Sequence, residues 1–184
     1  AMVCSLRGSV CLYQGEELGL PEAEVPFEAL QDPYGIAFWP NFKGRDGCRT
    51  PMPWTAAADA GFSAARPWLP VPDSHRALAV ERQEADPGSV LHAFRAFMRW
   101  RRAQPALVHG DIAFLDAGEP VLAFVRQAGG QRLLAAFNLS GAPAAFALPA
   151  GAWMPLEGHG MPGAAVEGAR ATLPAHGVLF AQMR

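Results

Sequence analysis

Residues 43–54 read Lys-Gly-Arg-Asp-Gly-Cys-Arg-Thr-Pro-Met-Pro-Trp, the densest polar stretch of the chain. Arg45, Asp46 and Arg49 lie there among glycines that break regular structure and prolines that stiffen it. An arginine fork donates paired hydrogen bonds to a carboxylate or to neighbouring sugar hydroxyls. Such a segment suits an internal ion pair that pins the loop, and it equally suits contact with a polar ligand. The two roles are compatible, because a guanidinium paired with a carboxylate keeps spare donors. Cys48 stands beside Arg49 without a partner base, which points to a buried or bystander thiol rather than an activated one. Glu16 and Glu17 are adjacent carboxylates. Neighbours in an extended segment point to opposite faces, so this pair cannot flank one bond as acid and base. At least one of them is expected to be structural.

Other chemistries lack their residues. The histidines, His75, His92, His109, His159 and His176, have no Cys, Asp or Glu at metal-ligand spacing, and no metal or cofactor is expected. No phosphate loop, dinucleotide glycine fingerprint or nucleophile elbow occurs. Asn138-Leu139-Ser140 matches a glycosylation sequon, which matters only in a secreted eukaryotic protein.

The elements that must position these residues change along the chain. Ala1–Leu6 reads as the end of a helix. Ser9–Tyr13 (SVCLY) is a continuous apolar run of the kind that forms a central parallel strand covered on both faces. Residues 21–88 hold ten of the seventeen prolines together with Phe38, Trp39, Trp54 and Trp68. A disordered segment is poor in aromatic residues, so this one reads as an ordered, functional loop packed over a scaffold. Residues 86–104 predict the best helix, with Asp86 as N-cap, Pro87 at the first position and Pro105 as its stop. Val90, Leu91, Phe94, Phe97 and Met98 make its apolar face, and Arg95, Arg99 and Arg102 the solvated one. Six strands are predicted beyond it: Ile112–Leu115, Val121–Arg126, Arg132–Asn138, Ala144–Leu148, Ala169–Leu173 and Val178–Gln182. Gly129-Gly130 marks a hairpin, and the set suggests a small antiparallel sandwich.

Composition narrows the function classes. The 184 residues are 51% hydrophobic and 17% charged, with a net charge of −2. That balance disfavours disorder and general nucleic-acid binding. No apolar run reaches the roughly 18 residues that span a bilayer, so no membrane partner is expected. The first ten residues lack the order of a signal peptide, so a cytoplasmic location is expected. Cys4, Cys11 and Cys48 have no CxxC spacing and leave one thiol over, against a disulfide framework.

Several segments together resemble one family. Tyr13-Gln-Gly-Glu-Glu-Leu-Gly19, Leu30-Gln-Asp-Pro33, Phe38-Trp-Pro40 and Gly44-Arg-Asp-Gly-Cys-Arg-Thr-Pro-Met-Pro-Trp54 are similar to the α-glucosidases and oligo-1,6-glucosidases of the α-amylase family. Gln83-Glu-Ala-Asp-Pro87, Val121–Ser140 and Leu173-Pro-Ala-His-Gly-Val178 extend the likeness in order along the chain. The resemblance implies an α/β plus all-β fold: the remnant of a (β/α)₈ barrel followed by an antiparallel β-sandwich. Residues 1–105 would be the end of the catalytic barrel and 106–184 the sandwich. Ser9–Tyr13 would be the eighth barrel strand, residues 14–88 the loop after it and 90–104 the eighth helix.

The same resemblance implies a retaining α-glucosidase that hydrolyses or transfers terminal non-reducing glucose without a cofactor. The family's catalytic carboxylates follow earlier barrel strands, so none is assigned here and the chain alone is expected to be inactive. Arg45, and after it Arg49, match the family arginine that reaches the glucose 3- and 4-hydroxyls. Glu22 matches a position on the leaving-group side, and Glu17 a structural one. An oligosaccharide or disaccharide is the implied partner. A stand-alone carbohydrate-binding or interaction module is the alternative, since exposed aromatics stack on sugars.

Overall fold

Alternation explains why the carboxyl-terminal half is a sheet structure. In Val121-Leu-Ala-Phe-Val125 and Leu133-Leu-Ala-Ala-Phe137 successive side chains point to opposite faces, and both faces are apolar. Such strands need cover on both sides. The computed structural model, which describes residues 1–184, provides it. The strands are β1 (Asp111–Leu115), β2 (Val121–Ala128), β3 (Gln131–Asn138), β4 (Ala144–Ala147), β5 (Trp153–Pro155), β6 (Ala165–Glu167), β7 (Arg170–Leu173) and β8 (Val178–Met183). They make a five-stranded sheet ordered β1-β2-β3-β8-β5 and a three-stranded sheet ordered β4-β7-β6. Every pairing is antiparallel. β2 and β3 meet in register from Val121 opposite Asn138 to Ala128 opposite Gln131, closing on the Gly129-Gly130 turn.

One face of the larger sheet packs Val121, Ala123, Val125, Leu134, Ala136, Leu179 and Ala181 against Phe146, Ala171 and Leu173 of the smaller sheet. The other face presents Phe124, Leu133, Ala135, Phe137 and Phe180 to Cys4, Phe97, Ala106 and Leu107. Those last residues belong to helices α1 (Met2–Ser5), α5 (Val90–Arg102) and α6 (Pro105–His109); α2 (Pro33–Ala37), α3 (Asp73–Ala77) and α4 (Val80–Ala85) lie between. By contacts the chain divides into two compact units, residues 1–11 with 93–184, and residues 12–92.

Five expectations change. Ser9–Tyr13 forms no strand and is mostly exposed, because a strand exists only through ladder hydrogen bonds and no neighbour pairs with it. The long helix starts at Val90 rather than at residue 86. Asp86 instead closes a turn through the Gly88 N–H, and the Ser89 hydroxyl accepts the His92 N–H at 3.4 Å as the cap. Val90, expected on the buried face, is about half exposed at that end. Pro105 stops one helix and begins the next, α6, since a proline at the first position needs no N–H partner. β5 and β6 are three residues each and were too short to show a period.

Residues 12–92 contain no strand and are held by short helices, turns and two small apolar clusters. Leu18, Met52 and Leu91 form one cluster; Val25, Leu30 and Leu69 form the other. Gln83 ties three parts of this unit together. Its amide nitrogen donates to the Leu18 and Leu78 carbonyls, and its oxygen accepts the Leu91 N–H at 3.0 Å. Phe38, Trp39, Trp54 and Trp68 stay substantially exposed rather than packing as a core.

Candidate substrate-binding site

The Asp32-Pro33 step begins the site. Asp32 caps α2, its Oδ1 accepting the Tyr34 N–H at 3.0 Å, and Pro33 fills the first helical position. The turn at Gly44 (φ 74°) brings the following loop back onto this cap, and a Cβ there would lie 2.9 Å from the Asp32 Cβ. Asp32 Oδ2 then accepts the Arg45 N–H at 2.9 Å. The same oxygen lies 3.8 Å from Arg45 Nε and 3.9 Å from an Arg49 terminal nitrogen.

The three residues differ in exposure. The Asp32 side chain is 3% accessible, those of Arg45 and Arg49 65% and 38%. The backbone N–H of Arg45 is the main cause that holds the Asp32 carboxyl below the ordinary carboxylate range. The Tyr34 N–H and the two guanidiniums act in the same direction, and burial opposes them. The arrangement is a buried anion with two outward-pointing cations, whose remaining N–H groups are free to meet a polar ligand.

Asp46 lies beneath. It is fully buried, and its Oδ2 accepts the Gln31 and Asp32 N–H groups at 2.6 and 2.7 Å. Gly47 follows because nothing larger fits: a Cβ there would sit 2.5 Å from the Ala23 carbonyl and 2.7 Å from Glu22 Cγ. This close approach places Glu22 against the 46–48 turn. Glu22 and Gly47 line two hollows, one of about 200 Å³ that also touches Cys48, Thr50 and His75, the other of about 420 Å³ that also touches Lys43. Glu22 makes no ion pair with either arginine. Lys43 is paired with Glu24 instead.

His75 is buried between Pro21 and Thr50. Its Nε2 is 2.7 Å from the Pro21 carbonyl, which only accepts, so Nε2 carries the hydrogen and Nδ1 meets the Thr50 hydroxyl at 3.1 Å. It pins the loop and is not a ligand. Cys48 is exposed, not buried, and its thiol donates to the Arg45 carbonyl. Glu16 and Glu17 sit on a 3₁₀ turn rather than an extended segment. Glu17 accepts the Gly15 N–H at 2.9 Å and so holds that turn. Asn138 is buried in the other unit, with its amide nitrogen donating to the Ala142 and Pro174 carbonyls, which leaves no acceptor for a glycan.

Sequence reasoning placed Arg45, Arg49 and Glu22 in one loop, and the fold brings them to one unit. It missed Asp32 as the anchor of the two arginines. An Asp-Pro step before a short helix was the available signal.

Residues 1–110 match the α-amylase catalytic-domain family, which is more than half of the chain. The chain belongs to the α-amylase family. Within that family it is 50% identical over its whole length to a probable α-glucosidase of Rhizobium meliloti (strain 1021), of which it covers 33%. It is 30% identical over 158 residues to a glucan 1,6-α-glucosidase of Streptococcus pneumoniae serotype 4, aligning 73% of its own length with 28% of that protein. Among solved structures, the α-glucosyl transfer enzyme XgtA shares 60% identity and superposes with a TM-score of 0.95 over the whole chain and 34% of that protein. The trehalulose synthase MutB, at 23% identity and a TM-score of 0.80, shares the fold. The chain thus spans about a third of the length of its curated relatives. No helix is long and apolar enough to cross a membrane.

Proposed function

We propose that this α-amylase-family chain is the carboxyl-terminal portion of a retaining α-glucosidase. The whole enzyme would hydrolyse, or transfer to an acceptor, the terminal non-reducing α-linked glucose of short sugars. In this reading residues 1–105 complete a (β/α)₈ catalytic barrel and 106–184 form its β-sandwich. Arg45 is the main contact to the glucose hydroxyls, Arg49 supports it, and Glu22 faces the leaving-group or acceptor side. The observation that carries this reading is the pair of exposed guanidiniums held by one buried carboxylate. The relatives' activities agree with it: one is a probable α-glucosidase, another a glucosyl transfer enzyme.

Retaining hydrolysis needs two carboxylates about 5–5.5 Å apart across the glycosidic bond. We assign both to the part of the enzyme that these 184 residues do not include. The test compares two samples on an aryl α-glucoside. The whole gene product is expected to release the phenol, and the purified 184-residue chain to give nothing above blank. Turnover by the short chain would overturn the assignment of the carboxylates. Absence of turnover by the whole product, on aryl glucosides and on maltose-like and isomaltose-like sugars, would overturn the function.

A further inference from the structure

We propose that Asp46 and Asp32 act in series as positioning residues for the Arg45 and Arg49 guanidiniums. The inference rests on the sugar-binding reading above, and it names which groups of this loop make that reading possible.

Asp46 touches neither guanidinium. Its Oδ2 takes two short hydrogen bonds from consecutive N–H groups, Gln31 and Asp32, fifteen and fourteen residues away in the chain. Its Oδ1 is buried and makes no hydrogen bond. An unpaired carboxylate oxygen in the interior is costly, and native structures keep few of them. The loop retains it for what the other oxygen does, which is to fix the backbone from which the Asp32 side chain springs.

Asp32 uses its two oxygens differently. Oδ1 is spent on the cap of α2. Oδ2, locked by the Arg45 N–H, stands between two cationic side chains at 3.8 and 3.9 Å. Those distances exceed a hydrogen bond and lie just within the 4 Å limit of an ion pair. The carboxylate therefore attracts both guanidiniums without consuming their donors. Without the anion, two partly exposed like charges would repel one another and turn outward into solvent. The relay thus runs from Asp46 through the Gln31–Asp32 backbone to the Asp32 carboxylate and on to both arginines.

The whole gene product serves for the test, with one readout that needs no enzyme activity. Phenylglyoxal modification followed by mass spectrometry gives the reactivity of each arginine. Asp32→Asn keeps an oxygen to cap α2, removes the charge and replaces the oxygen that accepts the Arg45 N–H with a donor. It is expected to raise the modification rate of Arg45 and Arg49 at least threefold, with Arg66 and Arg82 of the same unit unchanged. Asp46→Ala is expected to move the same two arginines. Asp46→Asn, which keeps an oxygen for both N–H groups, is expected to restore them. On an aryl α-glucoside, Asp32→Asn is expected to lower kcat/KM about tenfold, with the larger share in KM.

Unchanged reactivity of Arg45 and Arg49 in Asp32→Asn overturns the relay, and that variant suffices if Asp46→Ala does not fold. Raised reactivity with unchanged kcat/KM overturns its link to substrate. If the wild-type product hydrolyses no α-glucoside, the functional reading fails, and arginine reactivity still decides the relay.

Discussion

At the scale of single residues, Arg45 carries the most weight. In the whole enzyme Arg45→Ala is expected to reduce kcat/KM for a terminal glucoside by at least tenfold, about 1.4 kcal/mol of transition-state binding. An unchanged value would remove Arg45 from the site. Its anchor makes a pH prediction. Asp32 binds its proton less readily folded than unfolded, because backbone N–H groups and two guanidiniums favour the anion. The stabilisation it gives is complete above the unfolded carboxylate value of about 4 and is lost as pH falls through its lower folded value. Urea midpoints of wild type and Asp32→Asn are therefore expected to differ at pH 7 and to converge in strong acid. A constant difference would show that the charge plays no part. Arg45 and Arg49 stood out among glycines and prolines as candidates for an ion pair or a ligand contact, and the ion pair is present in the structure. Asp32 and Asp46 did not stand out, since their partners are backbone N–H groups and distant side chains that no local spacing reveals.

At the scale of elements, the loop is built by close backbone approach rather than by a core. Gly47→Ala brings a methyl into the Ala23 carbonyl and Glu22. Overpacking of this kind costs about 1–3 kcal/mol. The expected result is a lower urea midpoint together with loss of the Glu22 hollow, read as weaker competition by an acceptor sugar. Equal values for both would show that the turn tolerates a side chain. In the other unit the loop after β5 turns on His159, which packs edge-on against Trp100 and Phe180, with Nδ1 accepting the Met161 N–H at 3.1 Å. Burial lowers the His159 pKa. The unfolded chain therefore takes up the proton first, and the loop loses stability as pH falls from the unfolded histidine value of about 6.5 through the lower folded one. Hydrogen exchange at the Met161 N–H, corrected for its intrinsic pH dependence, is expected to show less protection at pH 5 than at pH 7. Equal protection would contradict this. The six longer strands were readable from alternation, while the start of α5 was misread because Asp86-Pro87 imitates a cap that Ser89 provides.

At the scale of the whole molecule, the sequence announced a barrel remnant and a β-sandwich; the structure contains a mixed α/β region and an antiparallel sheet region, without the expected barrel strand. The continuous apolar runs of β2 and β3 revealed the sheets, because a strand buried on both faces is apolar at successive positions. The same signal misled at Ser9–Tyr13, where the run is present and its ladder partners are not. Arg126 illustrates what composition hides. It is buried, and its guanidinium donates to the Ser5, Gly110 and Asp111 carbonyls at 2.5, 2.8 and 3.2 Å, joining α1 to the start of β1. Arg126→Met strands the buried Ser5 and Gly110 carbonyls and the partly buried Asp111 carbonyl, and is expected to cost about 3 kcal/mol, read as a lower unfolding midpoint. A change within 0.5 kcal/mol, as is usual at surface sites, would contradict that role.

The size of the native gene product bears on everything above. An antibody raised against residues 106–184 would detect it in extracts of the source cells. A band several times heavier than 19.6 kDa is expected, in keeping with relatives of which this chain covers a third. A stable, soluble band at 19.6 kDa would mean that the cell makes the short chain by itself, and the assignment to a larger α-glucosidase would be wrong.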